Sequence, residues 1–145
     1  MAHLLAWYGQ AFKTILNKEV DIPDDTIKVM LCDNTYTPDI DAHDYKNDVT
    51  GELSGGGYTA TGVALASLTW TQTAGSNLWT LDAADANWNP LSATNLRYAV
   101  GYDSTPATDA TRPVIFLVTL DANQTFTGAN FTLGWNVSGI LTQIY

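Results

Sequence analysis

Apolar residues near the start of the chain recur at helical spacing. Leu4, Leu5, Tyr8, Phe12, Ile15 and Leu16 fall on one stripe, with Gln10, Lys13, Thr14 and Asn17 on the other side. This pattern predicts an N-terminal helix over residues 1–18. It should end before Asp21-Ile22-Pro23-Asp24-Asp25, a turn-forming stretch. Beyond it the period falls to two. In Thr26–Cys32, Ile27, Val29 and Leu31 face one way, and Lys28 and Met30 the other. In Leu96–Tyr102, Leu96, Tyr98, Val100 and Tyr102 stand opposite Arg97, Ala99 and Gly101. Phe131, Leu133 and Trp135 alternate with Thr132 and Gly134. Val114–Leu120 is a continuous apolar run, as expected of a strand buried on both faces. Further strands are predicted at Val63–Thr73, Leu78–Leu81 and Ile140–Ile144, with turns at Ala74–Asn77, Val137–Gly139 and Gly55-Gly56-Gly57. The prediction is a mainly β protein, an antiparallel sandwich or jelly-roll-like single domain with an N-terminal α-helix. The helix, 1–18, docks on a neighbour or covers the core. Residues 19–145 form the β-rich domain, with an acidic loop region at 33–52.

Charge changes this picture by its distribution. The 145 residues carry 15 acids against 6 bases, a net −9 on a chain that is only 14% charged. Residues 1–52 hold ten acids and four lysines, a net −6, while 53–145 hold five acids and two arginines, a net −3. The second part is rich in Thr, Asn, Ala and aromatics, which suits strands with small polar faces. The negative balance argues against nucleic acid as a partner, since phosphates are neutralised by clustered Lys and Arg. It argues equally against a polybasic membrane surface, and no apolar run approaches the length of a membrane span. The N-terminus lacks basic residues before its apolar start and makes a poor signal peptide, so the chain is expected in a reducing cytoplasm or released from it by lysis.

Candidate chemistry is sparse. A single cysteine, Cys32, excludes an intramolecular disulfide and reads as a small buried hydrophobe. His3 and His43 are too few for a histidine cage. The densest polar cluster is Asp39-Ile40-Asp41-Ala42-His43-Asp44, followed by Asp48 and Glu52. Calcium takes six to eight oxygens, but its helix–loop–helix site needs a glycine at the sixth loop position, where this segment has Asp44. A solvated acidic loop or a single helical turn is the expected form. No G-x-S-x-G, H-E-x-x-H, phosphate-binding or dinucleotide-binding motif occurs. The chain is therefore expected to be no enzyme and to hold no cofactor or metal. Of five tryptophans, Trp7 and Trp135 lie on apolar stripes. Trp88, in Ala86-Asn87-Trp88-Asn89-Pro90, reads as a loop residue able to stack on a partner or a sugar.

Several segments together resemble a family of small structural proteins of tailed bacteriophages. They are Phe12–Asp21, Asp25-Thr26-Ile27-Lys28-Val29-Met30-Leu31, Tyr36-Thr37-Pro38-Asp39, Asp41-Ala42-His43-Asp44-Tyr45, Gly57-Tyr58-Thr59-Ala60 and Arg97–Asp103. They occur in order over roughly residues 10 to 120. Proteins of this type are virion components, several of them capsid decoration or cement proteins, and the resemblance carries over no catalytic residue. It implies a non-enzymatic protein bound to the capsid exterior, assembled in the host cytoplasm, with the major capsid protein as partner. Lattice symmetry makes a homotrimer the natural oligomer. The residues expected to meet a partner are Leu4, Trp7 and Tyr8 on the N-terminal segment, Asp39, Asp41, His43 and Asp44 in the acidic loop, and Trp88. The alternative is a tail-associated or host-surface carbohydrate-binding module.

Overall fold

The computed structural model describes residues 3–144, so the first two positions of the predicted helix lie outside the described residues. Two antiparallel sheets account for most of the chain. The larger contains β1 (His3–Trp7), β2 (Ile27–Asp33), β3 (Val63–Ala64), β6 (Ala86–Asp103) and β7 (Val114–Leu133), in the order β1-β7-β6-β2-β3. The smaller contains β4 (Thr69–Thr73), β5 (Leu78–Asp82) and β8 (Leu141–Ile144), in the order β4-β5-β8. A single α-helix among the described residues, α1 (Gly9–Leu16), lies against β7. Among those residues no helix is long and apolar enough to cross a membrane.

The large sheet is covered on both faces. Ile27, Val29, Leu31, Ala99, Ile115, Phe116 and Val118 pack with Leu81, Ile140 and Leu141 of the small-sheet layer, closing a sandwich core. On the opposite face Met30, Cys32, Val100, Tyr102, Val114 and Leu117 pack with Tyr8, Ala11 and Tyr36. This second cover explains the unbroken apolar run of β7, which has no solvent side over Val114–Val118. It also explains why Met30 is buried although it stands opposite Ile27, Val29 and Leu31.

The N-terminal segment departs from its predicted form. Residues 3–7 are a strand, not the start of a helix. β1 pairs antiparallel with β7, Leu5 opposite Val118 and Trp7 opposite Phe116. Tyr8 stays extended and donates its backbone N–H to Ile115 O, so helix begins only at Gly9. The edge pairing outweighs local spacing, as tertiary context commonly does. The predicted stripe is buried only in part, at Tyr8, with Leu5 and Ile15 packed against the core. Leu4 and Leu16 are 71% and 83% exposed, while Ala11 and Thr14 face inward. These small residues let α1 approach closely, and the Thr14 hydroxyl is satisfied by Ala11 O at 3.0 Å.

Three further differences have local causes. The predicted strand Val63–Thr73 is two strands in different sheets, β3 and β4, separated by a crossing at 65–68 where Ser67 has φ 54°. In β6 a register shift between Leu96 and Tyr98, next to Asn95 at φ 56°, reverses the side-chain parity. Leu96 therefore enters the sandwich core, while Tyr98, Val100 and Tyr102 face the helix side. Trp88 is no loop residue. It lies inside β6 at 3% exposure, stacked on Phe131 at 5.5 Å. Pro90, which signals a turn in sequence, occupies the irregularity between Trp88 and Leu91, a position where a strand tolerates proline.

Candidate functional site

The acidic segment is held together by its own carboxylates. Asp39 Oδ1 accepts the backbone N–H groups of Asp41 and Ala42 at 3.1 and 3.0 Å. Asp48 Oδ2 accepts those of Asp44 and Tyr45 at 3.1 and 3.3 Å. Burial opposes the Asp48 charge, but these donors together outweigh it and lower its pKa. Asp44 is pushed the other way by burial and by Asp48 beside it. Glu52 Oε1 accepts from the Tyr58 hydroxyl at 2.7 Å and from Thr61 N–H at 2.6 Å. Lys46, only 8% exposed, lies 3.5 Å from Glu52 Oε2 and 2.9 Å from Asp109 Oδ2, and Asp109 also takes Arg112 at 2.8 Å. Thus Asp39, Asp48 and Glu52 act as loop caps and strand ties. Among the described residues no group of three or more His, Cys, Asp or Glu side chains is placed to hold a metal ion.

His43 closes a directional hydrogen-bond chain. The Asp39 backbone N–H faces His43 Nδ1 at 3.5 Å, which makes Nδ1 the acceptor. The Tyr36 hydroxyl therefore donates to Nδ1 at 2.9 Å, and Tyr8 donates to Tyr36 at 2.8 Å. Both tyrosines are buried, and burial pushes the Tyr36 hydroxyl up to about 12 and Tyr8 further. The loop is fastened to the start of α1 by Gly9 N–H on Ile40 O at 2.7 Å and by the Gln10 amide on Asp41 O at 3.0 Å. Asp39, Asp41, His43 and Asp44 are thus brought beside Tyr8, but Tyr8 itself is fully buried.

A second region is nearly free of charge. From Leu53 to Leu81 and from Ala122 to Tyr145 no residue is charged. On one flank of the sandwich Trp7 of β1 reaches Trp70 of the edge strand β4, edge-on at 6.1 Å, while the β1 strand itself lies against β8. Phe12 extends the row on one side at 5.2 Å from Trp7, and Trp79 on the other, stacked on Trp70 at 5.4 Å. Trp7, Trp70 and Trp79 are half-buried, and Phe12 is exposed. Outside the row, the other face of the small sheet carries a shallow groove of about 360 Å³ lined by Thr69, Thr71, Thr73, Thr80 and Val137, with Asp82 as its one charged residue. Of the residues expected to meet a partner only Trp7 belongs to this flank, since Leu4, exposed on β1, lies apart from it beside Arg97 and Asp121. Trp88 stands apart in the core. Sequence reading misses Trp70, Trp79 and the threonines of β4. The alternation Thr69-Trp70-Thr71-Gln72-Thr73 inside an uncharged stretch is the signal that marks them.

No family model, curated protein or solved structure matches the chain. Segments singled out in the sequence make contacts within the fold. Tyr36 and His43 form the latch, Tyr58 binds Glu52, the Tyr102 hydroxyl donates to Thr61 O at 2.8 Å, and Gly101 lies directly under the Phe116 ring.

Proposed function

We propose that this chain is a non-enzymatic virion protein of a tailed bacteriophage that binds the capsid exterior and reinforces it. The observation that carries the reading is the division of the molecule. Ten of its fifteen acids lie in Glu19–Glu52, whereas Phe12, Trp7, Trp70, Trp79 and the threonines of β4 form an aromatic and hydroxyl surface whose groove has Asp82 as its one charged residue. An acidic side keeps particles apart in solution and does not compete for a packaged genome. A neutral aromatic flank has the composition of a buried interface centre, where charge is depleted and Trp and Phe are enriched. The carboxylates of Asp39, Asp48 and Glu52 are occupied by backbone amides, Tyr58 and Lys46, which suits a scaffold. The partner in this reading is the major capsid protein, and the copies follow lattice symmetry, as trimers at threefold positions. Mass spectrometry of purified particles tests it. The chain should occur in fixed proportion to the major coat protein, and a handful of copies per particle, or presence on tails alone, refutes it.

One observation favours a second reading. The half-exposed rings of Trp7, Trp70 and Trp79 are of the kind that stacks on sugars, as in a tail-associated or host-surface carbohydrate-binding module. A glycan array on which the protein binds, with the signal lost on Trp70→Ala, favours this alternative, and a blank array counts against it.

A further inference from the structure

Among the described residues, the backbone edge of strand β4 is without the usual protection. Edge strands of native proteins are kept from pairing by brevity, by Lys or Pro, by inward charges or by a covering segment. β3, the other edge of the large sheet's β2 side, follows this rule with two residues. β4 does not. It has five residues, Thr-Trp-Thr-Gln-Thr, with four of them exposed, and its nearest charged neighbours in sequence are Glu52 and Asp82. It pairs with β5 on one side only, from Thr69 opposite Asp82 to Thr73 opposite Leu78. Every Thr of β4 is β-branched and suited to a strand.

We propose that two copies of this chain pair through β4, antiparallel about a two-fold axis at Thr71, forming one six-stranded sheet β8-β5-β4-β4-β5-β8. Two features select a second copy as the occupant. First, the strand is complementary to itself. An antiparallel two-fold centred on Thr71 sets Thr71 against Thr71, Thr69 against Thr73 and Trp70 against Gln72. The threonines then form cross-strand pairs on one face, and each copy's Trp70 stands opposite the other's Gln72 on the opposite face. Second, each copy carries net −9, so most surfaces repel a second copy, whereas the stretch Leu53–Leu81 carries no charge at all. The partner of this edge therefore matches it in sign, in strand type and in length. A two-fold contact of this kind takes up the β4 edge, leaves Trp7 and Phe12 for a capsid contact, and does not depend on the virion reading.

Charge placed at Thr71 tests the register as well as the pairing. The wild-type chain should sediment as a concentration-dependent dimer. Thr71→Lys and Thr71→Asp should each raise the dimer dissociation constant by about tenfold or more, because like charges then face each other across the axis. An equimolar mixture of the two variants should recover a dimer, seen by native mass spectrometry at the mass of one copy of each. Circular dichroism melts of the separate variants check that they fold. If either does not, Thr71→Cys replaces them and should cross-link on oxidation, while Thr80→Cys, one strand inward, should not. A wild-type chain that stays monomeric at all concentrations overturns the proposal. So does a dimer indifferent to charge at Thr71, a charge-swapped mixture that remains monomeric, or a Thr71→Cys variant that does not cross-link.

Discussion

Replacing Tyr36 by phenylalanine removes the middle member of the Tyr8–Tyr36–His43 chain, leaving Tyr8 unpaired and His43 Nδ1 with only the Asp39 N–H at 3.5 Å. Tyr8 is 0% and Tyr36 2% exposed, so water cannot take over the lost contacts. With Tyr36→Phe the Tyr8 hydroxyl keeps its proton but loses its acceptor 2.8 Å away, inside a cluster of Ala11, Met30, Cys32, Val100 and Leu117. An orphaned buried polar group costs about 1–3 kcal/mol. Tyr8→Phe is milder, because Tyr36 still donates to His43 at 2.9 Å, and one ordinary hydrogen bond contributes about 0.5–1.5 kcal/mol. The double variant has no buried hydroxyl left to satisfy, so its cost should not exceed that of Tyr36→Phe. The two effects are therefore strongly non-additive, as expected of residues in one network. Urea unfolding of the four proteins at neutral pH measures this, provided the slope of free energy against denaturant is unchanged. Additive losses, or a Tyr8→Phe variant less stable than Tyr36→Phe, would refute the donor direction assigned to the chain.

Other perturbations follow from the packing. Trp88→Ala should cost about 3–5 kcal/mol, the range for deleting a large core aromatic, and thermal unfolding should show this as a large drop in melting temperature. Gly101→Ala should be destabilising, because a Cβ there falls inside the Phe116 ring, while Gly101→Ala combined with Phe116→Leu should recover part of the loss. Asp109 is held below the usual carboxylate range mainly by the hydrogen bond from Lys46 and further by Arg112. Its contribution is present above the unfolded carboxyl value of about 4 and is lost as pH falls through the lower folded value. Asp109→Asn should accordingly be less stable than wild type at neutral pH, and the gap should close on acidification below about pH 4.

The parts of the fold legible in the sequence are those fixed by side-chain period and continuity. Ile27, Val29 and Leu31 share a face, and the apolar run after Pro113 is a strand covered on both sides, because burial alone decides both patterns. What is not legible depends on contacts distant in sequence. β1 reads as helix because Leu4, Leu5 and Tyr8 fit either period, and only pairing with residues more than a hundred positions away decides between them. Leu96 reads onto the wrong face because the bulge beside Asn95 shifts parity by one residue, and period counting cannot see an extra residue. Trp88 reads as a surface residue because Pro90 signals a turn, whereas here it fits a strand irregularity. In the site, the acidic loop is visible as composition, but the commitment of Asp39, Asp48 and Glu52 to particular donors arises from turn geometry. The aromatic row is invisible for the same kind of reason, since Phe12, Trp7, Trp70 and Trp79 come from four different elements.

A cryo-electron microscopy reconstruction of the intact particle would show whether the chain attaches to the outside of a phage capsid through its aromatic flank. Density for this fold is expected on the outer capsid surface, repeated with the lattice, with Trp7 and Phe12 facing coat protein and the Asp39–Asp44 loop facing solvent. A capsid surface without this fold, or the fold present only on the tail, would contradict it.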